Sequence, residues 1–313
     1  MHILTSLIVG TLLIGASVLN AEAALTTYSA NGVDMVLMQN SPGAPGIGWT
    51  RDGNLLGRWL DNPADVGYAG REQLIAGIIG ASVHNGESGK IYDSYYGVYS
   101  LSNSDFAKIG DFPGATNGAV TWWGAHAFIN YLNSVGYGES HQWRLPSIGE
   151  YPLSGFQRSN TDFGRLYYSE LGRLGCCSDA SKVQDGYGIF ANNGRQTLDG
   201  AVGPFVNVQS AIYWFGEELT GDKPFNDARR AWVFSHADGR QDSFPKDYPF
   251  YVWPTKLVPA SAVPVPGAFW LMGSGLCLLG GRLRTVAARL ATSRDDDVQK
   301  IKNPIRRNVC LHY

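Results

Sequence analysis

Two uncharged apolar stretches, one near each end, constrain this chain more than any other feature. From Ile3 to Leu19 it reads ILTSLIVGTLLIGASVL, and from Gly267 to Gly281 it reads GAFWLMGSGLCLLGG. Asn20-Ala21-Glu22-Ala23 follows the first stretch, and Ala21-x-Ala23 is the small-residue pattern that signal peptidase accepts. Residues 1–23 are therefore expected to be a secretory signal peptide, cut after Ala23. Its n-region carries only the α-amino group and His2, and the alternative is an uncleaved anchor. The second stretch makes a helix of about 22 Å, short against a hydrocarbon core of about 30 Å. Arg282 and Arg284 follow it at once, which leaves the C-terminus in the cytoplasm by the positive-inside rule. A cleaved N-terminus and a cytosolic tail together place the body outside the inner membrane.

The expected organisation is a signal peptide (1–23), an extracytoplasmic domain (24–258), a Pro-rich linker (259–266), a transmembrane helix (267–281) and a basic cytoplasmic tail (282–313). Formal charge follows this division. Residues 24–281 carry 17 basic and 23 acidic side chains, whereas residues 282–313 carry 8 and 3. A mildly acidic body has no electrostatic reason to hold nucleic acid, and none is expected as a partner. Charged residues make up 17% of the chain and aromatics 12%, with 39 glycines. That profile excludes a disordered acidic chain, a coiled coil and a collagen, and suits a loop-rich exported domain.

Val263-Pro264-Val265-Pro266, the apolar helix containing Trp270-Leu271-Met272-Gly273-Ser274-Gly275-Leu276, and then Arg282 and Arg284 resemble the PEP-CTERM sorting signal. The resemblance covers residues 263–284. It implies a Gram-negative bacterium that makes extracellular polysaccharide, processing by the membrane transpeptidase exosortase, and delivery to the cell surface or matrix. Val265 stands where the commonest form has Glu, and 29 residues follow Arg284 where the family normally stops within a few. The bland reading of the same segment is a plain C-terminal membrane anchor.

Within the body, Asn31 to Met38 alternates as a first strand, and Arg71–Gly80 has helix-like content weakened by Gly77 and Gly80. Residues 81–118 read as an extended loop region with short strands. Thr121–Val135 (TWWGAHAFINYLNSV) is the clearest helix, with Trp122, Ala125, Ile129 and Leu132 at helical spacing and Thr116 or Asn117 as its cap. In Trp143-Arg144-Leu145-Pro146-Ser147-Ile148-Gly149-Glu150, Pro146 dictates an extended entry, and Ser147 is placed to cap a short helix with Glu150 at capping-box spacing. Ala211–Phe215, Ala231–Phe234 and Phe250–Pro254 are β-rich runs expected to form a small antiparallel sheet.

This layout resembles the DUF1566 domain, also found at the C-terminus of the Legionella collagen-like adhesin. The residues that carry the likeness are Thr121-Trp122 with Ala125, Trp143-Arg144-Leu145-Pro146-Ser147 with Glu150, Tyr213-Trp214, Ala231-Trp232-Val233-Phe234 with Asp238-Gly239-Arg240, and Tyr251-Val252-Trp253. Phe215-Gly216 replaces the usual Ser-Ser, and Trp253-Pro254 stands near the usual Val-Arg. The resemblance spans roughly residues 30–258. It implies an α+β, C-type-lectin-like fold, related in shape to the formylglycine-generating-enzyme domain, with small antiparallel sheets, long loops and two helices.

Candidate residues divide between structural and functional readings. Trp143 and Leu145 share one face of an extended segment and are expected in the core, leaving Arg144 to seek a carboxylate, for which Glu150 is the candidate. Trp122, Tyr213 and Trp214 are likewise read as structural. Cys176 and Cys177 are adjacent, either as two thiols or as a vicinal disulfide, and no cysteine spacing suggests zinc. His84, His126, His141 and His236 are scattered. Asp222, Asn226 and Asp227, beside Glu217 and Glu218, offer oxygen ligands to calcium, but a solvated acidic loop is the preferred reading. Tyr92, Tyr95, Tyr96 and Tyr99 lie in one Gly/Ser-rich stretch and can stack against sugar rings, the alternative being that they pack the loop onto the core. With no catalytic motif, the expected function is a non-enzymatic envelope or matrix component that contacts polysaccharide, without metal or cofactor. The alternatives are an enzyme of the formylglycine-generating or oxidase type and a purely structural matrix protein.

Overall fold

The computed structural model describes residues 25–40, 44–106, 117–150, 152–177, 183–220 and 227–260. The predicted signal peptide, the sorting tetrapeptide (Val263, Pro264, Val265, Pro266), the transmembrane segment and the tail with Arg282 and Arg284 lie outside these residues. No helix among the described residues is long and apolar enough to cross a membrane.

The chain opens with a hairpin. β1 (Thr26–Ala30) and β2 (Val33–Gln39) pair across Asn31-Gly32, both at positive φ (48° and 74°), which is the two-residue turn whose twist suits a hairpin. The strand read from the sequence is β2; β1, with mixed polarity and partial exposure, carries no such signal. β3 (Gly46–Thr50) extends the sheet. After it come α1 (Leu55–Asp61), capped by Asn54 through the Gly57 amide, and α2 (Arg71–Gly80). Two small hairpins follow, β4 (Val83–His84) with β5 (Glu87–Ser88), and β6 (Lys90–Asp93) with β7 (Gly97–Ser100). β8 (Ala119–Val120) then leads into α3 (Trp122–Ser134).

β9 (Trp143–Arg144) precedes a short helix, α4 (Asp162–Gly164), that continues into a wide π turn over Arg165–Glu170. β10 (Ile212–Glu218), β11 (Arg230–Ser235), β12 (Gln241–Pro245), β13 (Phe250–Tyr251) and β14 (Thr255–Val258) complete the described chain. One five-stranded sheet has the order β1-β2-β3-β14-β9, so the last strand inserts beside β3 and binds the end of the body to its beginning. The other has the order β12-β11-β10-β13-β8. The fold is α+β, with small sheets and few helices.

Several local expectations are corrected. α3 is capped by Thr121, whose Oγ1 accepts the Gly124 amide at 3.1 Å, not by Thr116 or Asn117. The Asn117 carbonyl instead accepts Asn54 Nδ2. Helices are more numerous than the two expected, because α1 and the turn of helix after Thr161 are also present. The three C-terminal β runs do share a sheet, but β13 lies parallel to β10, pairing Tyr251 with Tyr213, and is only two residues long. Val252-Trp253-Pro254 then crosses to the first sheet.

The second sheet is buried on both faces, and period-2 alternation sorts its side chains between two cores. Trp214, Ala231, Val233 and Val252 pack with α1, α2 and α3; Tyr213, Phe215, Trp232, Phe234 and Trp253 pack with Trp49, Phe163 and Tyr167. Aromatic edges meet faces throughout the second core, as at Phe163 and Phe215 (5.1 Å) and at Phe205 and Trp253 (5.0 Å).

Candidate functional site: a tyrosine hairpin on a buried ion cluster

β6 and β7 pair in register from Lys90↔Ser100 to Asp93↔Gly97, joined by Ser94-Tyr95-Tyr96 with Gly97 at a φ of 72°. A three-residue loop that closes on a left-handed glycine is a common hairpin connection. Strand alternation gives this hairpin two unlike faces. Ile91 and Tyr99 pair across the strands and pack inward, while Tyr92 and Val98 pair on the outer face. Tyr92, Tyr95 and Tyr96 are 61%, 55% and 52% exposed. Tyr99 belongs to the fold: its ring stacks on Trp123 at 4.0 Å and its hydroxyl donates to the buried Asp105 carboxylate. The four tyrosines grouped by the sequence therefore separate into three surface rings and one packing ring.

Asp93 fixes the loop. Its Oδ1 accepts the Tyr95 and Tyr96 amides at 2.8 and 2.9 Å, the pattern that makes aspartate a turn residue. Its Oδ2 accepts Trp123 Nε1 (2.8 Å) and the Lys246 ammonium (2.6 Å). Burial alone would raise this carboxyl, but the Lys246 bond, the two amides and the indole N–H outweigh it and hold the group below the usual carboxylate range. Lys246 also donates to Glu218 at 2.7 Å and sits 4.5 Å from the Trp122 ring centre. Glu218 in turn accepts the Ser94 amide and hydroxyl, which ties the hairpin tip to β10. A full charge inside a protein persists only when paired and hydrogen-bonded, and here two carboxylates and a ring face surround the ammonium.

Two groups of exposed rings surround this anchor, and Tyr96 also meets the Trp123 ring at 5.6 Å. Tyr95 and Tyr96 meet edge to face at 4.8 Å, the Arg229 guanidinium stands 5.8 Å over Tyr95, and His84 stacks on Tyr92 at 5.7 Å. Such a surface offers ring faces beside hydroxyls and a guanidinium.

The other candidate residues are placed as follows. Trp122, Trp143, Leu145, Pro146, Tyr213 and Trp214 are interior. Trp143 Nε1 donates to the Tyr137 carbonyl at 2.7 Å, and Trp214 Nε1 to that of Val120 at 2.9 Å. Arg144 does not pair with Glu150, which is exposed; its guanidinium meets Asp162 at 2.8 Å. No helix follows Pro146 either. Asp162 accepts the Ser147 amide and Glu217 accepts the Ser147 hydroxyl, so the groups expected to cap a helix are bound to distant carboxylates.

Cys176 and Cys177 form a vicinal disulfide. Asp227 pairs with Arg229, Glu217 and Glu218 turn to separate partners, and Asp222 and Asn226 lie outside the described residues. Among the described residues no three His, Cys, Asp or Glu side chains gather to hold a metal ion. His236 is wholly buried among aromatic rings, His84 and His141 lie against Tyr92 and the Asn133 carbonyl, and His126 sits in α3. Sequence reasoning missed Asp93 and Lys246, and it placed Glu218 in a solvated acidic loop where the structure gives it Lys246 as a partner. The signal available was a single lysine in Phe244-Pro245-Lys246, a polar residue set in an aromatic stretch.

No family profile, curated protein or solved structure matches the chain.

Proposed function

We propose that the chain is an exported, non-enzymatic protein of the cell envelope or extracellular matrix that contacts polysaccharide through Tyr92, Tyr95 and Tyr96. One observation carries the reading: three exposed tyrosine rings share a hairpin whose tip is pinned by a buried ion cluster. Rigid aromatic platforms suit sugar rings, whose apolar faces stack while their hydroxyls find polar neighbours, and a platform already fixed loses little entropy on binding. The closure of Cys176 onto Cys177, leaving no separated thiol pair in the described body, supports the non-enzymatic reading over an oxidase-type alternative.

The DUF1566-like, C-type-lectin-like assignment belongs to this proposal, supported by Trp143-Arg144-Leu145-Pro146 and the mixed α+β architecture. So does the route of export: signal peptidase acts after Ala23, the helix over 267–281 anchors the chain in the inner membrane, and exosortase reads Val263–Pro266 with Arg282 and Arg284. The binding half is tested by retention of the full-length chain on insoluble cellulose, chitin and a β-1,3-glucan. Retention lost in Tyr95→Ala and Tyr96→Ala proteins of unchanged melting temperature is expected; no retention of the wild type on any of the three overturns it. The sorting half is tested by mass spectrometry of the C-terminus with and without exosortase, where an uncut terminus in both overturns it.

A further inference from the structure

Lys246, Asp93 and Glu218 bring an amine and two carboxyl groups together away from bulk water. Lys246 follows β12 with its backbone fixed on both sides. Its amide donates to the Arg229 carbonyl at 3.1 Å, and its carbonyl accepts the Trp122 amide at 2.9 Å. The Lys246 and Asp93 side chains are fully buried, and that of Glu218 is nearly so. The ammonium is thus delivered by a fixed stem to two acceptors that solvent does not reach freely.

The geometry is that of a nucleophile beside an acyl carbon. Nζ stands 2.6 Å from Asp93 Oδ2, which places it within about 3.8 Å of Cγ, given a carbon–oxygen bond of about 1.2 Å. Reacting atoms in a near-attack arrangement are about 3–3.5 Å apart, so a small displacement suffices. Asp93 Oδ1 accepts the Tyr95 and Tyr96 amides at 2.8 and 2.9 Å, a two-donor cradle suited to the oxyanion of a tetrahedral intermediate. Trp123 Nε1 donates to Oδ2 at 2.8 Å, where charge gathers on a departing oxygen. Glu218 Oε1 lies 2.7 Å from Nζ and supplies the base that an ammonium needs before it can attack.

We propose that Lys246 and Asp93 condense into an intramolecular amide bond, with Glu218 moving the protons. Glu218 takes a proton from the ammonium, and the Nζ lone pair attacks Cγ. The Nζ–Cγ bond forms and the Cγ–Oδ2 bond breaks. Oδ2 leaves as water with two of the three ammonium hydrogens, and the third stays on the amide nitrogen. No oxidant, reductant or cofactor is consumed. The carbonyl of the product keeps the Tyr95 and Tyr96 amides, and its N–H keeps Glu218 as acceptor, so both new amide groups have partners. Condensation also removes one positive and one negative charge from the interior, where even paired charges are costly to desolvate. The structure shows the pair before reaction.

The bond joins positions 153 residues apart and makes the anchorage of the hairpin tip covalent. The Cys176–Cys177 disulfide closes adjacent residues and staples no distant segments, so it does not duplicate this link. The inference goes beyond the polysaccharide reading and does not depend on it.

The test is peptide mass mapping of the full chain, digested at intervals after synthesis. A branched peptide joining the Asp93 and Lys246 segments is expected, lighter by one water than its two parts. Its mass is independent of processing at either end of the chain. Lys246→Arg keeps the cation but lacks a nucleophilic amine, and should yield only the unbranched peptides. Glu218→Gln should form the bond about 100-fold more slowly or worse, the scale of a lost general base. Folded wild-type protein that gives only unbranched peptides after prolonged incubation overturns the proposal, and a folded Glu218→Gln protein that condenses at the wild-type rate overturns the role of Glu218. The wild-type digest decides the main point even if neither variant folds. Tyr95→Ala keeps its backbone amide and should form the bond as the wild type does, which separates this chemistry from polysaccharide retention.

Discussion

The Lys246 ammonium and the Asp93 carboxylate meet at 2.6 Å with neither side chain exposed to solvent. They are 153 residues apart in sequence, and between them they join the second sheet, α3 and the tyrosine hairpin. A buried pair of this kind is not by itself a source of stability, because its desolvation cost rivals the attraction. Its value here is positional. Asp93 cannot satisfy Lys246 unless the Ser94-Tyr95-Tyr96 loop is closed over it.

Lys246→Met is therefore expected to destabilise the chain by about 3–5 kcal/mol, since it leaves Asp93 and Glu218 buried beside each other without their cation. Denaturant unfolding measures the loss. The variant should also mobilise the hairpin, read as faster amide exchange at Tyr95 and Tyr96. A change below ~1 kcal/mol would show that the cluster is solvated and the anchor argument mistaken.

Trp143 and Asp162 support the same corner from opposite sides. Trp143→Ala should cost about 3–5 kcal/mol, the range for a large aromatic removed from a packed interior. Asp162→Asn should cost less, about 1–3 kcal/mol, because it leaves the Arg144 guanidinium and the Ser147 amide with a weaker acceptor. Glu150→Gln, at the exposed position first matched to Arg144, should lie within ~0.5 kcal/mol of wild type. Thermal melts of the three variants check the order.

The elements visible in the sequence are those whose signal is local. α3 has helical spacing of Trp122, Ala125, Ile129 and Leu132, all buried, and the runs around Trp214, Trp232 and Tyr251 are dense in β-formers. What escaped depends on partners far along the chain. Glu150 is six residues from Arg144 and looked adequate, yet the turn carries it to the surface while Asp162 arrives from α4. Ser147 has the chemistry of a cap, but Glu217 takes its hydroxyl across 70 residues. The hairpin tyrosines were legible as a composition; which face each ring would take required the β6–β7 register. The ion cluster was not legible at all, because Asp93, Glu218 and Lys246 share no motif.

Gly118 and Gly97 make a controlled pair for backbone strain. Both have positive φ, 100° and 72°. A Cβ on Gly118 would fall 2.1 Å from Asn54 Oδ1, the atom that caps α1, and 2.8 Å from the Gly57 backbone; a Cβ on Gly97 would meet nothing within 4 Å. Gly97→Ala should cost only its conformational strain, about 1 kcal/mol. Gly118→Ala should add the displaced cap, about another 1 kcal/mol or more. Equal losses in denaturant unfolding would mean that Asn54 shifts without consequence.

His236 gives the clearest pH signature. Its imidazole is 0% exposed, both ring nitrogens lack a partner, and Phe163, Tyr167, Tyr213, Phe234 and Trp253 surround it. Burial pushes its pKa down from 6.5 to about 3, so the folded state keeps it neutral where the unfolded chain takes up a proton. Its contribution is complete above pH 6.5 and is lost as pH falls toward about 3. His126 has the same sign, lowered by burial to about 4. Near pH 5 each histidine should tilt stability by about 1.4 kcal/mol per pH unit, more stable as pH rises. His236→Phe removes two buried, unpaired polar atoms and should roughly halve the histidine share of that slope, gaining most over wild type at pH 4.5 and least at pH 8. Urea midpoints measured for both proteins from pH 8 to pH 4.5 check this, and parallel curves would mean that His236 is protonated in the fold.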